Sequence, residues 1–196
     1  YSMKSTLVNM VLSLGIITII AAALLAGVYT ITEAPIKAAQ LNKQIEAIKA
    51  VTPAFDNDPV NESMEITPQG ESVPVKVFPA KMGGKLVGAA VESYSSQGFS
   101  GDIKLIYGFD TEGNITGYAV MQHAETPGLG AKMDEWFRSP EGRRSVIGLN
   151  PSTSNLTVSK DGGDVDAITA ATITSRAFLD ALSRAANAFD QLSAQK

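Results

Sequence analysis

The chain contains no cysteine and a single histidine, His123. These two shortages remove disulfides, thiol nucleophiles and cysteine-ligated zinc or iron–sulfur centres, and they exclude a multi-histidine metal site built from this chain alone. Positive charge is also in short supply. Sixteen Lys and Arg against 20 Asp and Glu leave a net charge of −4, so there is no basic footprint for nucleic acid. Between Ser5 and Thr32 charge of either sign is missing altogether.

The middle of that uncharged stretch reads "VLSLGIITIIAAALLAGVYTI", Val11 to Ile31. At about 1.5 Å per residue a helix of this length spans roughly the 30 Å hydrocarbon core of a bilayer. A cleaved signal peptide is the competing reading. Its apolar region is shorter and is followed by a small-x-small cleavage site, whereas "AAALLAG" offers small residues only inside the run. A soluble core helix of this length would show a polar face. A retained membrane anchor is the expectation. Lys4 on one side and Lys37, Lys43 and Lys49 on the other do not set the orientation, because large domains translocate largely regardless of flanking charge.

Four divisions are expected along the chain: a transmembrane segment at 1–32, a stalk helix at 33–55, a polar connection at 56–72 and a folded domain at 73–196. In the stalk, Ile36, Leu41, Ile45, Ile48 and Val51 form a helical stripe between Lys and Glu. The spacing predicts a helix that bends at Pro35 and stops at Pro53. "DNDPVNESMEITPQGESVP" is polar and acidic with prolines, as in a loop. Strands are predicted at "VKVFPAK", "KLVGAAVESY", "DIKLIYGFD" and "NITGYAVMQH", the last two joined by a "TEG" hairpin turn. Ile103, Leu105, Tyr107 and Phe109 alternate, as on a half-buried strand. "DEWFRSPEGRRSVIGL" predicts a short helix broken at Ser139–Pro140, and "NLTVSKDGGDVDAIT" a strand–turn–strand. The final helix presents Phe178, Leu182, Ala185, Phe189 and Leu192 on one face. The fold class is α+β: a transmembrane helix and a stalk helix, then one domain with a mainly antiparallel sheet and a C-terminal helix.

Three segments bear on chemistry. "DAITAATITS", Asp166 to Ser175, crowds Thr169, Thr172, Thr174 and Ser175 just ahead of the last helix. One reading is capping, with Thr174 or Ser175 accepting from free helix amides. The other is a phosphate site at a helix start, where unpaired N–H groups favour an anion and small Ala170 and Ala171 admit a close approach. A Thr hydroxyl is weakly nucleophilic, so a phosphoester on it needs an external enzyme. "HAETPGLGAKM", His123 to Met133, lacks the third glycine of a dinucleotide fingerprint. It reads as a Pro127–Gly128 type II turn, or as a flexible apolar loop with Glu125, Thr126 and Lys132 around it that cups a planar ring. "SYSSQGFSGDI", Ser93 to Ile103, reads as a plain loop. No Ser–His–Asp order and no metal-ligand spacing is apparent.

Taken together, the N-terminal anchor, "GFSGDI", the hairpin, "ETPGLG" and "DAITAATITS" before a terminal helix resemble the FMN-binding domain of the Rnf complex G component and its relative, the C component of the sodium-translocating NADH:quinone reductase. The resemblance covers essentially the whole chain. It implies FMN joined through a phosphoester to Thr172, the last Thr of a "(S/T)GAT"-like segment. Here Ala170 stands where the family usually has Gly. The resemblance places Thr169 and Thr174 near the phosphate, with Ala171 beside it. It places the isoalloxazine toward Glu125, Thr126, Leu129 and Gly130, with Lys132 a partner for phosphate or ring carbonyl. Asp166 aids recognition by a flavin transferase or fixes the turn. The implied role is a redox relay inside a membrane complex of several subunits, between ferredoxin and NAD⁺, with the domain on the extracytoplasmic side of the bacterial inner membrane. No catalytic residue, metal or nucleic-acid partner is implied. The C component of the quinone reductase and a membrane-tethered binding or assembly module without flavin are the alternatives, and the compact chain favours the Rnf component.

Overall fold

The computed structural model describes residues 7–194. Lys4 of the charge count therefore lies outside the described residues. The first element is one α-helix, α1, Leu7–Val51, which runs through Pro35 without interruption. Its apolar half carries large side chains that are mostly solvent-facing, from Leu7 and Val8 to Tyr29 and Ile31. A helix this long, apolar and unburied has the length and composition to cross a membrane. The chain divides into two compact units, 1–43 and 44–196, so that the last turns of α1 belong with the folded domain.

The domain is built on a five-stranded antiparallel meander in sequence order. Its strands are β1, Met64–Ile66, β2, Val75–Met82, β3, Lys85–Gly98, β4, Gly101–Asp110, and β5, Ile115–Gln122. The alternation of Ile103, Leu105, Tyr107 and Phe109 puts all four into the main core. There they meet helix α3, Thr172–Ala194, an alanine-rich segment of high helix propensity whose Phe178, Leu182, Ala185, Phe189 and Leu192 are buried. Ring contacts knit the layers: Phe109 stacks on Phe189 at 5.0 Å between centroids, and Phe137 on Phe178 at 4.1 Å. The buried Tyr107 hydroxyl donates to the Phe178 carbonyl at 2.7 Å, so the one polar atom of that side chain is satisfied.

The opposite face of the sheet is buried too. Ala47, Ile48 and Val51 of α1 pack there on Phe78, Ala90 and Ile106. The end of the helix comes so close that a Cβ on Gly108 would overlap the Val51 carbonyl and lie 2.7 Å from Thr116 Oγ1. Thr116 in turn donates its hydroxyl to that carbonyl, satisfying an orphan C=O of the helix end.

Several local expectations change. The Ser93–Ile103 stretch is not a loop: β3 runs to Gly98 and β4 starts at Gly101, leaving a two-residue turn of Phe99 and Ser100. Part of 56–72 is strand β1, paired Met64 to Val77 and Ile66 to Val75. The segment before it is held by Asn57, which donates to the Pro79 carbonyl at 2.9 Å and accepts from Lys81 N at 2.8 Å. The helix expected in "DEWFRSPEGRRSVIGL" is a single turn, α2, Met133–Trp136. "NLTVSKDGGDVDAIT" forms no strand pair beyond one parallel bridge, Val158 to Val165. Its hydrogen bonds go to turns instead, including a one-turn 3-10 helix at Ser159–Asp161.

Candidate functional site

The segment after β5 turns back sharply. Thr126 O accepts from Leu129 N at 3.1 Å, and Gly128 has φ 76°, as the third position of a type II turn requires. Gly130 then opens a 3-10 turn, Gly130–Lys132, that leads into α2. The turn is drawn inward by Glu125, which is only 5% exposed. Both carboxylate oxygens of Glu125 are engaged: Oε1 accepts from Ser100 N at 2.9 Å and Oε2 from the Thr174 hydroxyl at 2.6 Å. One carboxylate thus ties the β3–β4 turn, the "ETPGLG" segment and the first turn of α3 together.

Around this knot lies a cleft of about 330 Å³, lined by Phe99, Glu125, Thr126, Leu129, Gly130 and residues 170–174. The volume falls within the common range for small-molecule sites. Its walls combine the exposed or half-exposed apolar groups Phe99, Leu129 and Ile173 with the hydroxyl of Thr172 and the start of α3.

Of the residues singled out from sequence, Glu125, Thr126, Leu129, Gly130, Ala171, Thr172 and Thr174 come together at this cleft. Thr169 and Lys132 do not line it. Phe99, Ala170 and Ile173 line it as well. Phe99, at 69% exposed, is concealed in a Gly/Ser-rich segment; a lone aromatic between small residues is the available signal. Ile173 gives none, because its place follows from where α3 begins.

The hydroxyls of "TITS" do different work from the expected capping. Thr174 donates to Glu125. Ser175 Oγ accepts from Ile168 N at 2.9 Å and donates to Ala171 O at 3.0 Å, closing the turn that precedes the helix. Thr172 is half-exposed, and its hydroxyl is contacted by the Lys160 ammonium at 3.4 Å. Within the turn Ala170 is held at φ 61°, the one non-glycine residue with positive φ among those described. Asp166 fixes the same region: its carboxylate accepts from Arg143 N at 3.0 Å, and its carbonyl from Trp136 Nε1 at 2.9 Å. The Arg143 amide, followed by the Ser159 hydroxyl, holds its pKa below the ordinary value.

These residues fit a flavin mononucleotide. The apolar walls suit a planar ring, and the early N–H groups of α3, which lack intrahelical acceptors, suit a phosphate beside the Thr172 hydroxyl.

An apolar helix leading into an antiparallel α+β domain, with a ligand cleft where the β3–β4 turn meets the start of the last helix, defines a helix-tethered, small-molecule-binding class. Within it a family model described as the FMN-binding domain matches residues 98–187. The chain belongs to the family of the G component of ion-translocating oxidoreductase complexes. The G component from Methanosarcina acetivorans is 39% identical over 190 residues, covering 96% of this chain and 95% of its own. That of Aliivibrio fischeri strain ES114 is 33% identical over 189 residues, covering 93% and 90%. That of Yersinia pestis is 37% identical over 174 residues, covering 85% and 82%. Among solved structures, Shewanella oneidensis NqrC overlaps 71% of this chain and 74% of its own, with a TM-score of 0.47 and 22% identity.

Proposed function

We propose that this chain is the electron-carrying flavoprotein subunit of a membrane-bound, ion-translocating ferredoxin:NAD⁺ oxidoreductase complex, with FMN esterified to Thr172. The observation that carries the reading is the cleft itself. It brings Thr172, the half-exposed threonine of "TAATITS", together with "ETPGLG", two segments far apart in sequence. Thr172 supplies the attachment oxygen, the start of α3 offsets phosphate charge, and Phe99, Leu129 and Ile173 cover the ring. Glu125 and Thr174 brace the floor from behind. The bound flavin would supply one- and two-electron transfer; the protein contributes position and shielding from water. The chain acts as a redox relay within the complex and not as a stand-alone catalyst.

The near-complete overlap with the Methanosarcina protein favours this assignment over the C component of the quinone reductase. Helix α1 serves as the anchor, and the domain lies on the extracytoplasmic side of the inner membrane, where a tethered cofactor is not lost by diffusion. Maturation requires a flavin transferase.

The test is co-expression of the full chain with an active flavin transferase, followed by intact-mass measurement and acid precipitation. The expected result is one FMN per chain, retained on the denatured polypeptide and absent from Thr172→Ala. Unmodified parent chain, with the transferase shown active on another target, would point instead to a non-redox binding or assembly module.

A further inference from the structure

Lys160 approaches Thr172 from a fixed position. It rides on the Ser159–Asp161 turn, which is anchored by Ser159 N donating to Val165 O at 2.7 Å and Gly163 N to Val158 O at 3.1 Å. The neighbouring acid is occupied elsewhere. Arg176, one helical turn after Thr172, donates Nε and an Nη to the two carboxylate oxygens of Asp161 at 2.8 and 2.9 Å. That pair neutralises itself. The Lys160 ammonium is then the cation that meets the Thr172 hydroxyl, at 3.4 Å. A neutral alcohol is a modest partner for an ammonium, whereas a phosphate oxygen is a strong one.

We infer that Lys160 is a phosphate-binding residue of this site: its ammonium pairs with the phosphodiester formed on Thr172. The inference rests on the attachment proposed above. In that step the Thr172 oxygen bonds to the flavin-side phosphorus of a flavin dinucleotide, and the pyrophosphate bond to that phosphorus breaks. AMP leaves, the hydroxyl proton passes to a base of the transferase, and no electrons are exchanged. The neutral alcohol thereby becomes a phosphodiester whose charged oxygens lie two bonds from the atom that Lys160 already contacts. Lysine suits the task, since its compact charge and rotatable donors follow a phosphate without demanding one geometry. Neither Lys160 nor Lys132, which the resemblance offers for phosphate or ring carbonyl, lines the cleft; what distinguishes Lys160 is its contact with the Thr172 hydroxyl.

The experiment compares the full-length parent with Lys160→Arg, Lys160→Gln, Lys160→Glu and Thr172→Ala, each co-expressed with an active transferase. Covalent flavin is followed with time by intact mass, and each unloaded variant is melted in parallel. Unloaded melting temperatures should match the parent. Loading should proceed at the parent rate for K160R, several-fold slower for K160Q and slower still for K160E, the differences shrinking as salt screens the charge. No loading of K160Q beside normal loading of K160R is the extreme form of that result. On fully loaded protein, the ³¹P resonance of the ester should move between parent and K160Q. Parent-like loading of K160E, failure of K160R, or slow loading with an unmoved resonance overturns the role of Lys160. Flavin retained on Thr172→Ala instead overturns the attachment site, whereas its absence there with equal rates across the Lys160 series sinks this inference alone.

Discussion

Thr174 and Glu125, 49 positions apart in the chain, share a buried hydrogen bond of 2.6 Å in which the hydroxyl donates to Oε2. A carboxylate that is 5% exposed needs every donor it has. Thr174→Val keeps the shape and removes the donor, leaving Oε2 without that partner. The expected loss is about 1–3 kcal/mol of stability, and Thr174→Ser should recover most of it. Urea unfolding checks this through the midpoint at unchanged slope. A Thr174→Val midpoint equal to that of the parent would remove this bond from the account of the site.

Gly130 borders the same pair. A Cβ built there lies 2.5 Å from Glu125 Oε2, 2.7 Å from Thr174 Oγ1 and 2.9 Å from Glu125 Cβ. Gly130→Ala must therefore push the carboxylate aside, at a cost of about 1–3 kcal/mol. Because Gly130 also lines the cleft, flavin loading should fall along with stability. Loading at the parent rate in a clearly destabilised Gly130→Ala would show that the cleft wall tolerates the shift.

Much of this architecture is legible in the sequence, for identifiable reasons. Period-two alternation in β4 and the apolar stripe of α3 mark the two layers of the main core, because each element turns one apolar face into it. The second buried face is less visible. β2 and β4 carry near-continuous apolar runs, "VKVFPA" and "LIYGF", a sign of burial on both sides, but only the three-dimensional structure shows that the end of α1 covers them. Strand β1 escapes because three residues, one of them Glu65, hold no period. The turns of 155–169 read as strands because Val158 and Val165 look strand-like but pair only with each other. In the site, "ETPGLG" and "TAATITS" are readable as motifs. Lys160 is not, since nothing local tells a lysine in a turn that it ends beside a particular threonine.

Three carboxylates, Asp161, Asp166 and Glu62, are held below their ordinary pKa values. Arg176 chiefly holds Asp161 below its ordinary pKa of 3.8, and the Arg143 amide chiefly does so for Asp166. Groups depressed in this way contribute stability above the unfolded-state pKa and lose it as pH falls through the folded one. Asp190 works in the opposite sense: burial raises its pKa, so its contribution is full in acid and is lost as pH rises through the raised value. With three lowered carboxylates against one raised, the urea midpoint should fall as pH drops below about 5. Asp166→Asn should lower the midpoint near neutrality and flatten the acid fall. An acid fall as steep as the parent's would assign the sensitivity to other groups.

Ala170, where the family resemblance leads one to expect glycine, sits at a φ of 61°, a conformation that glycine adopts without strain. The turn from Ile168 to Ala171, closed by Ala171 N donating to Ile168 O at 3.0 Å, needs a left-handed residue two positions ahead of Thr172. An L-residue with a Cβ costs roughly 1–2 kcal/mol there. Glycine removes that strain but gives back part of the gain through its freer unfolded chain. Ala170→Gly should therefore stabilise the domain by about 0.5–1 kcal/mol, read as a small rise in melting temperature. It also removes a methyl group from the cleft wall, so flavin loading should be at least as fast as in the parent. A lower melting temperature would mean that the methyl group contributes packing that outweighs the strain. Slower loading would mean that the rigidity of alanine, and not the space of glycine, presents the Thr172 hydroxyl to the transferase.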